Sequence, residues 1–137
     1  MKHSINTIAA ALITSTILLA SQTATAGVAD QMLNEYIQQG AKPSALAGET
    51  LWNREFVDAK SGKNRSCATC HTSNLSQSGE HVKTGKVIKA MAPSVNPKRF
   101  TKVKKVNKWF KRNCKWTLGR ECTLQEKADV MAYLKDL

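Results

Sequence analysis

Apolar positions along the chain fall into separate groups with different spacings. Ile5 to Ala20 is an apolar run with only small polar interruptions, preceded by Lys2 and His3 and followed by Ala24-Thr25-Ala26. That order is the pattern of a secretory leader with a small-residue cleavage site. The run is short for a membrane span of about 20 residues, so cleavage after Ala26 is expected. Residues 27–137 then form one small domain. Within it, Met32, Leu33, Tyr36 and Ile37 make the i, i+1, i+4, i+5 stripe of an amphipathic helix over Asp30–Gln39, closed by Gly40-Ala41-Lys42-Pro43. Ser44 is placed to cap a second helix, with Ala45, Leu46, Leu51, Trp52 and Phe56 on its buried side. Gly48 inside that helix costs about 1 kcal/mol against alanine. Close approach of another helix or a plain local weakness would each explain it.

Asp58 to Ser66 reads as a polar loop around Gly62, and Thr72 to Lys86, rich in Ser, Gly and Lys, as an irregular stretch with Leu75 its apolar contact. Val87, Ile88, Ala90, Met91 and Ala92 form an apolar patch closed by Pro93. Phe100, Val103, Val106, Trp109 and Phe110 recur at helical spacing and predict a third helix over Pro97–Asn113. A turn is expected at Thr117-Leu118-Gly119-Arg120. Thr123-Leu124-Gln125-Glu126 is a capping box opening a final helix with Leu124, Ala128, Met131, Tyr133 and Leu134 inward. No stretch alternates as a strand does. The expected fold is all-α, with about four helices.

Between the second and third helices lies Cys67-Ala68-Thr69-Cys70-His71. Cys-x-x-Cys-His is the attachment motif of a c-type haem: each thiol adds across a porphyrin vinyl group, and the histidine ligates iron. A thioredoxin-like dithiol wants a βαβ pattern, which is absent, and a zinc site wants a second close pair of ligands. The cofactor expected is one covalent haem c held by Cys67, Cys70 and His71. Such attachment takes place outside the bacterial cytoplasm, which agrees with the leader and places the protein in the periplasm. There the default fate of the two remaining cysteines, Cys114 and Cys122, is a disulfide worth about 2–3 kcal/mol; free thiols or a redox pair are the alternatives.

Charge narrows the partners. The formal net charge is +11, and +10 without Lys2. From Lys83 to Arg120 there is no acidic residue, while Lys83, Lys86, Lys89, Lys98, Arg99, Lys102, Lys104, Lys105, Lys108, Lys111, Arg112, Lys115 and Arg120 are basic. Nucleic acid is the usual partner of such a stretch, but an exported haem protein rarely meets it. An acidic redox protein, an anionic membrane surface touched at most peripherally, and a simply solvated face remain.

The far side of the iron decides between functions. Met91 in Met-Ala-Pro has the setting of an electron carrier's thioether ligand. His81 would give bis-histidine ligation, but it follows His71 closely in a Gly/Ser/Lys loop. Met131 falls on a packing face.

A resemblance bears on this choice. Ala92-Pro93-Ser94-Val95-Asn96-Pro97-Lys98-Arg99-Phe100-Thr101, Trp109-Phe110-Lys111-Arg112-Asn113-Cys114, Gly119-Arg120-Glu121-Cys122-Thr123 and Glu126-Lys127-Ala128-Asp129 together resemble the sphaeroides haem protein (SHP) family. The likeness covers nearly all of 27–137 and is densest from Ala90 to Leu137. It implies a small class I cytochrome c-like domain with one disulfide, Cys114–Cys122. It also implies that Asn113 ligates the oxidised iron and leaves on reduction, giving a high-spin haem open to O2, NO or CO. Met91 is then cleft lining, and the electron donor is a partner cytochrome, a dihaem cytochrome c. Electron transport, oxygen binding and reductase- or oxygenase-type turnover all use such a site. A plain carrier with His71/Met91 ligation is the competing expectation.

Overall fold

A computed structural model describes residues 27–137; the expected leader over 1–26 lies outside the described residues. The first helix, α1, spans Val28–Gln38 and buries Met32, Leu33 and Tyr36 as their spacing predicts, while Ile37 points outward. Its end is a Schellman turn. Gly40 sits at φ 97°, its N–H donating to Ile37 O at 2.9 Å, and Ala41 N–H reaches back to Tyr36 O at 3.0 Å.

α2 spans Ala45–Asn53, capped by Ser44 Oγ accepting from Ala47 N–H at 3.2 Å. It crosses the last helix, α5 (Leu124–Leu134). A Cβ on Gly48 would lie 2.1 Å from the Asp129 carbonyl oxygen and 2.9 Å from Tyr133 Cβ. The glycine is there because two helix backbones meet. Polar contacts lock the crossing: Asp129 Oδ1 accepts from Ser44 N–H at 2.8 Å and from Gln125 Nε2 at 2.7 Å. Gln125 also exchanges both hydrogen bonds with the backbone of Lys42. The inward side of α2 is thus Gly48 and Trp52; Leu46, expected inside, is 73% exposed.

α5 carries the predicted capping box, with Thr123 Oγ1 accepting from Glu126 N–H and Glu126 Oε2 accepting from Thr123 N–H. Both Glu126 oxygens also take Arg120 N–H groups at 2.7 Å, which, with the cap, hold its carboxyl down to about 2. The helix is buried on two sides. Ala128 and Met131 join Met32, Leu33, Tyr36, Ala41 and Val106, while Val130 and Leu134 join Trp52, Leu75, Met91 and Ala92. Phe100 and Phe110 touch both groups.

The third predicted helix is displaced. The chain turns through Pro97–Phe100, with Phe100 at φ 52°, and the helix begins after Lys102. It then runs past Asn113 to Leu118 and stops at Gly119, φ 74°. The turn expected at 117–120 is therefore the helix's own end, because a left-handed glycine and not the cysteine terminates it. Cys114 is bonded to Cys122. Val106, Cys114 and Thr117 are its buried positions; Trp109, expected inside, is 44% exposed.

We label this helix α4, because a one-turn helix, α3 (Ala68–His71), precedes it inside the motif. Two antiparallel ladders of two residues each also occur. β1 (Phe56–Val57) pairs with β2 (Asn64–Arg65), and β3 (Gly79–Glu80) pairs with β4 (Val87–Ile88). Strands so short leave no alternation to read.

Gly48→Ala would gain about 1 kcal/mol of helix propensity at an open site. Here we expect a net loss of about 2–3 kcal/mol, because the methyl group meets the Asp129 carbonyl. Urea melts of the two proteins measure it; a stabilised variant would refute the close crossing.

Candidate functional site

The motif is built as a single helical turn. Ser66 and Thr69 start it with a reciprocal pair of bonds, Ser66 N–H to Thr69 Oγ1 at 2.8 Å and Thr69 N–H to Ser66 Oγ at 3.1 Å. Cys70 N–H and His71 N–H then both donate to the Cys67 carbonyl, at 3.3 and 3.1 Å. Residues three and four apart on a helix share a face, so Cys67, Cys70 and His71 point the same way. Both thiols are free and partly buried.

The turn ends at Thr72, whose backbone lies at φ 65°, ψ 167°. This region is nearly confined to glycine and costs about 1–3 kcal/mol. Trp52 holds the residue there: its indole N–H donates to the Thr72 carbonyl at 3.1 Å, and its ring lies 5.4 Å from that of His71. Thr72 Oγ1 bonds Asn74 O at 2.7 Å, and Ser73 Oγ reaches Asn53 Oδ1 at 2.9 Å. On the opposite side β3 presses on the turn, since a Cβ on Gly79 would stand 2.0 Å from Cys70 O.

α4 is tied to the same place. Arg65, just before the motif, pairs with Asp58 at 2.7 Å, donates to Trp116 O at 3.1 Å and lies 4.8 Å over the Trp116 ring. The buried Thr117 side chain lies beside the Cys67 thiol and works against the rise that burial imposes on it. Asn113 stands one turn before Thr117, half-buried on the same side of α4.

The electrostatics suit an iron porphyrin. Burial pushes the Cys67 thiol up to about 11, so it stays neutral beside apolar surface. Burial, and then the positive charge of Arg99, lower His71 to about 4. Its imidazole is neutral at physiological pH, with a lone pair free for a metal. His71 Nδ1 is buried with no hydrogen-bond partner among the described residues. Around it, Trp52, Leu75, Met91, Ala92, Val130 and Leu134 supply an apolar wall. Two free thiols, a neutral imidazole and this wall fit a covalently held haem. Among the described residues no cluster of three or more His, Cys, Asp or Glu side chains forms a simple metal site.

The other sequence candidates are placed as follows. Leu75 is buried, and its carbonyl accepts from both Met91 N–H and Ala92 N–H at 2.9 Å. The Ala90–Ala92 strap is clamped from outside: the Ala90 carbonyl accepts from Arg99 Nε at 2.8 Å and Asn96 Nδ2 at 3.1 Å, and Arg99 also bonds Lys89 O. Met91 therefore faces the apolar wall. Val87, the first residue of the apolar patch in the sequence, is turned out to solvent, 73% exposed. His81 stands exposed in the β3–β4 turn, its Nδ1 near Thr84 Oγ1 at 3.1 Å. Met131 is fully buried in the other group. The sequence reading missed Thr69, Thr72, Gly79, Arg99 and Thr117. Only the spacing Ser66-x-x-Thr69 and the glycine at 79 offered a signal.

Trp52→Phe keeps the apolar contact and removes the N–H. It should destabilise the protein by about 1–3 kcal/mol, the cost of an unsatisfied Thr72 carbonyl, as read by thermal melts. A change below about 0.5 kcal/mol, the floor for such a bond, would mean the strained turn holds without Trp52.

A family model described as a domain of unknown function, DUF1924, matches residues 38–134. The chain is 45% identical over 92 residues to cytochrome c'' of Methylophilus methylotrophus, a match spanning 67% of this chain and 63% of that protein, less than two thirds of its length. It is 41% identical over 98 residues to the cytochrome c-type protein SHP of Cereibacter sphaeroides, over 69% of this chain and 72% of that one. In three dimensions it resembles oxidised cytochrome c'' with a TM-score of 0.70 at 38% identity, covering 78% of this chain and 92% of the other. Oxidised SHP, described as an oxygen-binding cytochrome c, also gives 0.70, at 36% identity over 78% and 95%. The disulfide and the helical architecture agree with the class I cytochrome c-like expectation. The chain belongs to the DUF1924 family and is, like cytochrome c'' and SHP, a c-type cytochrome carrying one covalently bound haem c.

Proposed function

We propose that this protein is a periplasmic, ligand-binding monohaem cytochrome in which Asn113 works as a gate. Cys67 and Cys70 carry the porphyrin, His71 ligates the iron throughout, and the Asn113 amide oxygen ligates it only in the oxidised state. When bound, the haem supplies a one-electron couple and, once reduced, a site for O2, NO or CO. The carrying observation is that Asn113 is half-buried on the side of α4 that also carries the buried Thr117, whose side chain lies beside the Cys67 thiol. SHP is an oxygen-binding cytochrome c, which supports the same reading.

The chemistry of the residues follows. An amide oxygen is a hard, neutral, weak donor that favours the ferric over the softer ferrous state. Released on reduction, Asn113 offers its NH2 as a hydrogen-bond donor toward whatever enters. The neighbouring Cys114–Cys122 bond holds the α4 backbone, so opening the site is left to one side chain. That bond also fits an oxidising compartment, and among the described residues no helix is long and apolar enough to cross a membrane.

Electrons would come from a partner cytochrome, a dihaem cytochrome c being the kind the SHP resemblance implies. Lys102, at the N-cap of α4, and Lys104, Lys105, Lys108, Lys111, Arg112 and Lys115, on the helix, are exposed, with Glu121 beside Lys111 and Lys115 at 4.0 and 3.4 Å. A field of this sign speeds encounter with an acidic protein.

The rival, permanent His71/Met91 ligation in a plain electron carrier, has one observation in its favour: Met91 is buried in the wall beside Leu75 and Trp52. Optical and EPR spectra separate the two. The gate predicts a ferrous, five-coordinate, high-spin haem that takes up CO at once at neutral pH, and Asn113→Ala should change the ferric spectrum. A sulfur-to-iron charge-transfer band, little CO uptake and an unchanged Asn113→Ala spectrum would establish Met91 instead. Electron-transfer rates with an acidic partner should also fall several-fold as salt shortens the Debye length from about 30 Å to about 8 Å; a flat response would remove the α4 lysines from the account.

A further inference from the structure

The motif turn is enclosed by Trp52 and α4 on its inner sides, but its Cys70 side opens to the surface. A cleft of about 490 Å3 lies there, with Thr69, Cys70 and Thr72 on one wall and Gly79, Val82 and Val87 on the other. Val82 is 50% exposed and Val87 73%. Neither valine belongs to the core groups, so both present apolar surface beside a residue assigned to hold haem.

The hairpin carrying them is firmly shaped. Glu80 pairs with Val87 and Gly79 with Ile88. In the turn, the His81 carbonyl accepts from Thr84 N–H at 3.0 Å and Gly85 N–H at 2.9 Å, with Gly85 at φ 63°. The lack of room for a Cβ at Gly79 seats the whole hairpin against the Cys70 carbonyl. A preformed surface loses little freedom on binding.

Its charge is mixed in a telling way. Lys83, Lys86 and Lys89 lie on or just after the hairpin and are exposed, while Glu80 is the carboxylate on the cleft wall. Two exposed valines adjoined in sequence by exposed Lys83 and Lys86, with one carboxylate on the cleft wall, suit a transient protein interface with an acidic partner. No α4 residue lines the cleft, so the α4 lysines act on approach and the hairpin acts on contact.

We propose that the β3–β4 hairpin is the electron-entry surface, where an acidic redox protein seats its donor group over Val82 and Val87 against the Cys70 edge of the haem site. One electron crosses there, and no bond forms or breaks at the surface. The proposal rests on the assignment of Cys70 as a haem-bearing thiol.

The test uses isotope-labelled holoprotein titrated with flavodoxin, an acidic redox protein, and followed by amide shifts. The perturbed amides should centre on 79–89 and on Thr69–Thr72. Val82→Asp with Val87→Asp, and separately Lys83→Glu with Lys86→Glu, should each raise the Kd about tenfold or more, as expected for misplaced charge at an interface. Neither pair should alter the haem absorption spectrum or reduction by a small neutral reductant. Lys105→Glu with Lys108→Glu should slow association and leave the pattern of shifts in place. Shifts centred on α4, no shifts in the hairpin, or hairpin variants binding within about twofold of the parent would overturn the proposal. The underlying assignment fails separately: Cys70→Ser should shift the pyridine haemochrome band as one thioether is lost, and an unchanged band would remove Cys70 from haem attachment whatever the titration reports.

Discussion

The meeting of two helix backbones at Gly48 and Asp129 governs the geometry of the site. Trp52 stands one turn beyond Gly48 on the same side of α2. Seating Gly48 against the Asp129 carbonyl therefore decides where the indole lies. The indole in turn holds the Thr72 carbonyl and flanks the His71 ring. A larger residue at 48 would lift α2 away and take Trp52 with it. The histidine's position thus depends on a contact made one turn away along α2, which Asp129 reinforces by accepting from Ser44 and Gln125.

Around His71 the protein supplies little polarity. Burial and the Arg99 charge keep the imidazole unprotonated, and the neighbouring wall is apolar. In such surroundings even a weak neutral donor competes well for an iron coordination position, because water is scarce there. Under the proposed function, this setting would let an amide oxygen bind one oxidation state and leave the other. A stronger thioether or imidazole would stay bound in both. Arg99 also clamps the Ala90–Ala92 strap by its backbone carbonyls, so one half-buried guanidinium both orders the wall and biases the histidine.

Much of this architecture was legible in the residues, and the unread part has definite causes. The stripe Met32, Leu33, Tyr36 and the box Thr123–Glu126 are local signals, and both appear as read. Periodicity placed Trp52 on the inward side of α2 but put Ala45, Leu46 and Phe56 there as well, and it carries no information on what crosses the helix, so Gly48 reads equally as a weakness until the Asp129 carbonyl opposite it is known. Leu46 and Trp109 lie off the true contact stripes, and a hydropathy pattern cannot tell a rim from a core. The start of α4 moved because Phe100 takes a positive φ, a choice imposed by packing against both apolar groups. Thr72 carries no sequence signature, and Gly79 only the bare fact of a glycine, since their roles exist only once Trp52 and Cys70 are beside them. At the site, Cys67, Cys70 and His71 stood out by spacing alone, whereas Asn113 needed the family resemblance.

α4 is bound to the rest of the molecule at the end that carries Asn113. Cys114 is bonded to Cys122, Thr117 touches Cys67, and Arg65 grips Trp116 by both carbonyl and ring. All three ties lie within four residues of Asn113, and they join it to Cys122, to the haem-motif turn and to the segment just before it. A gate that required the helix to shift would have to break an ion-paired arginine, a buried hydroxyl contact and a covalent loop together. A gate that turns one side chain about its own bonds breaks only the iron–oxygen contact, which is the bond weakened by reduction. If Asn113 is the proposed gate, the way the helix is anchored favours a switch confined to that side chain, which would leave the lysine face of α4 in place.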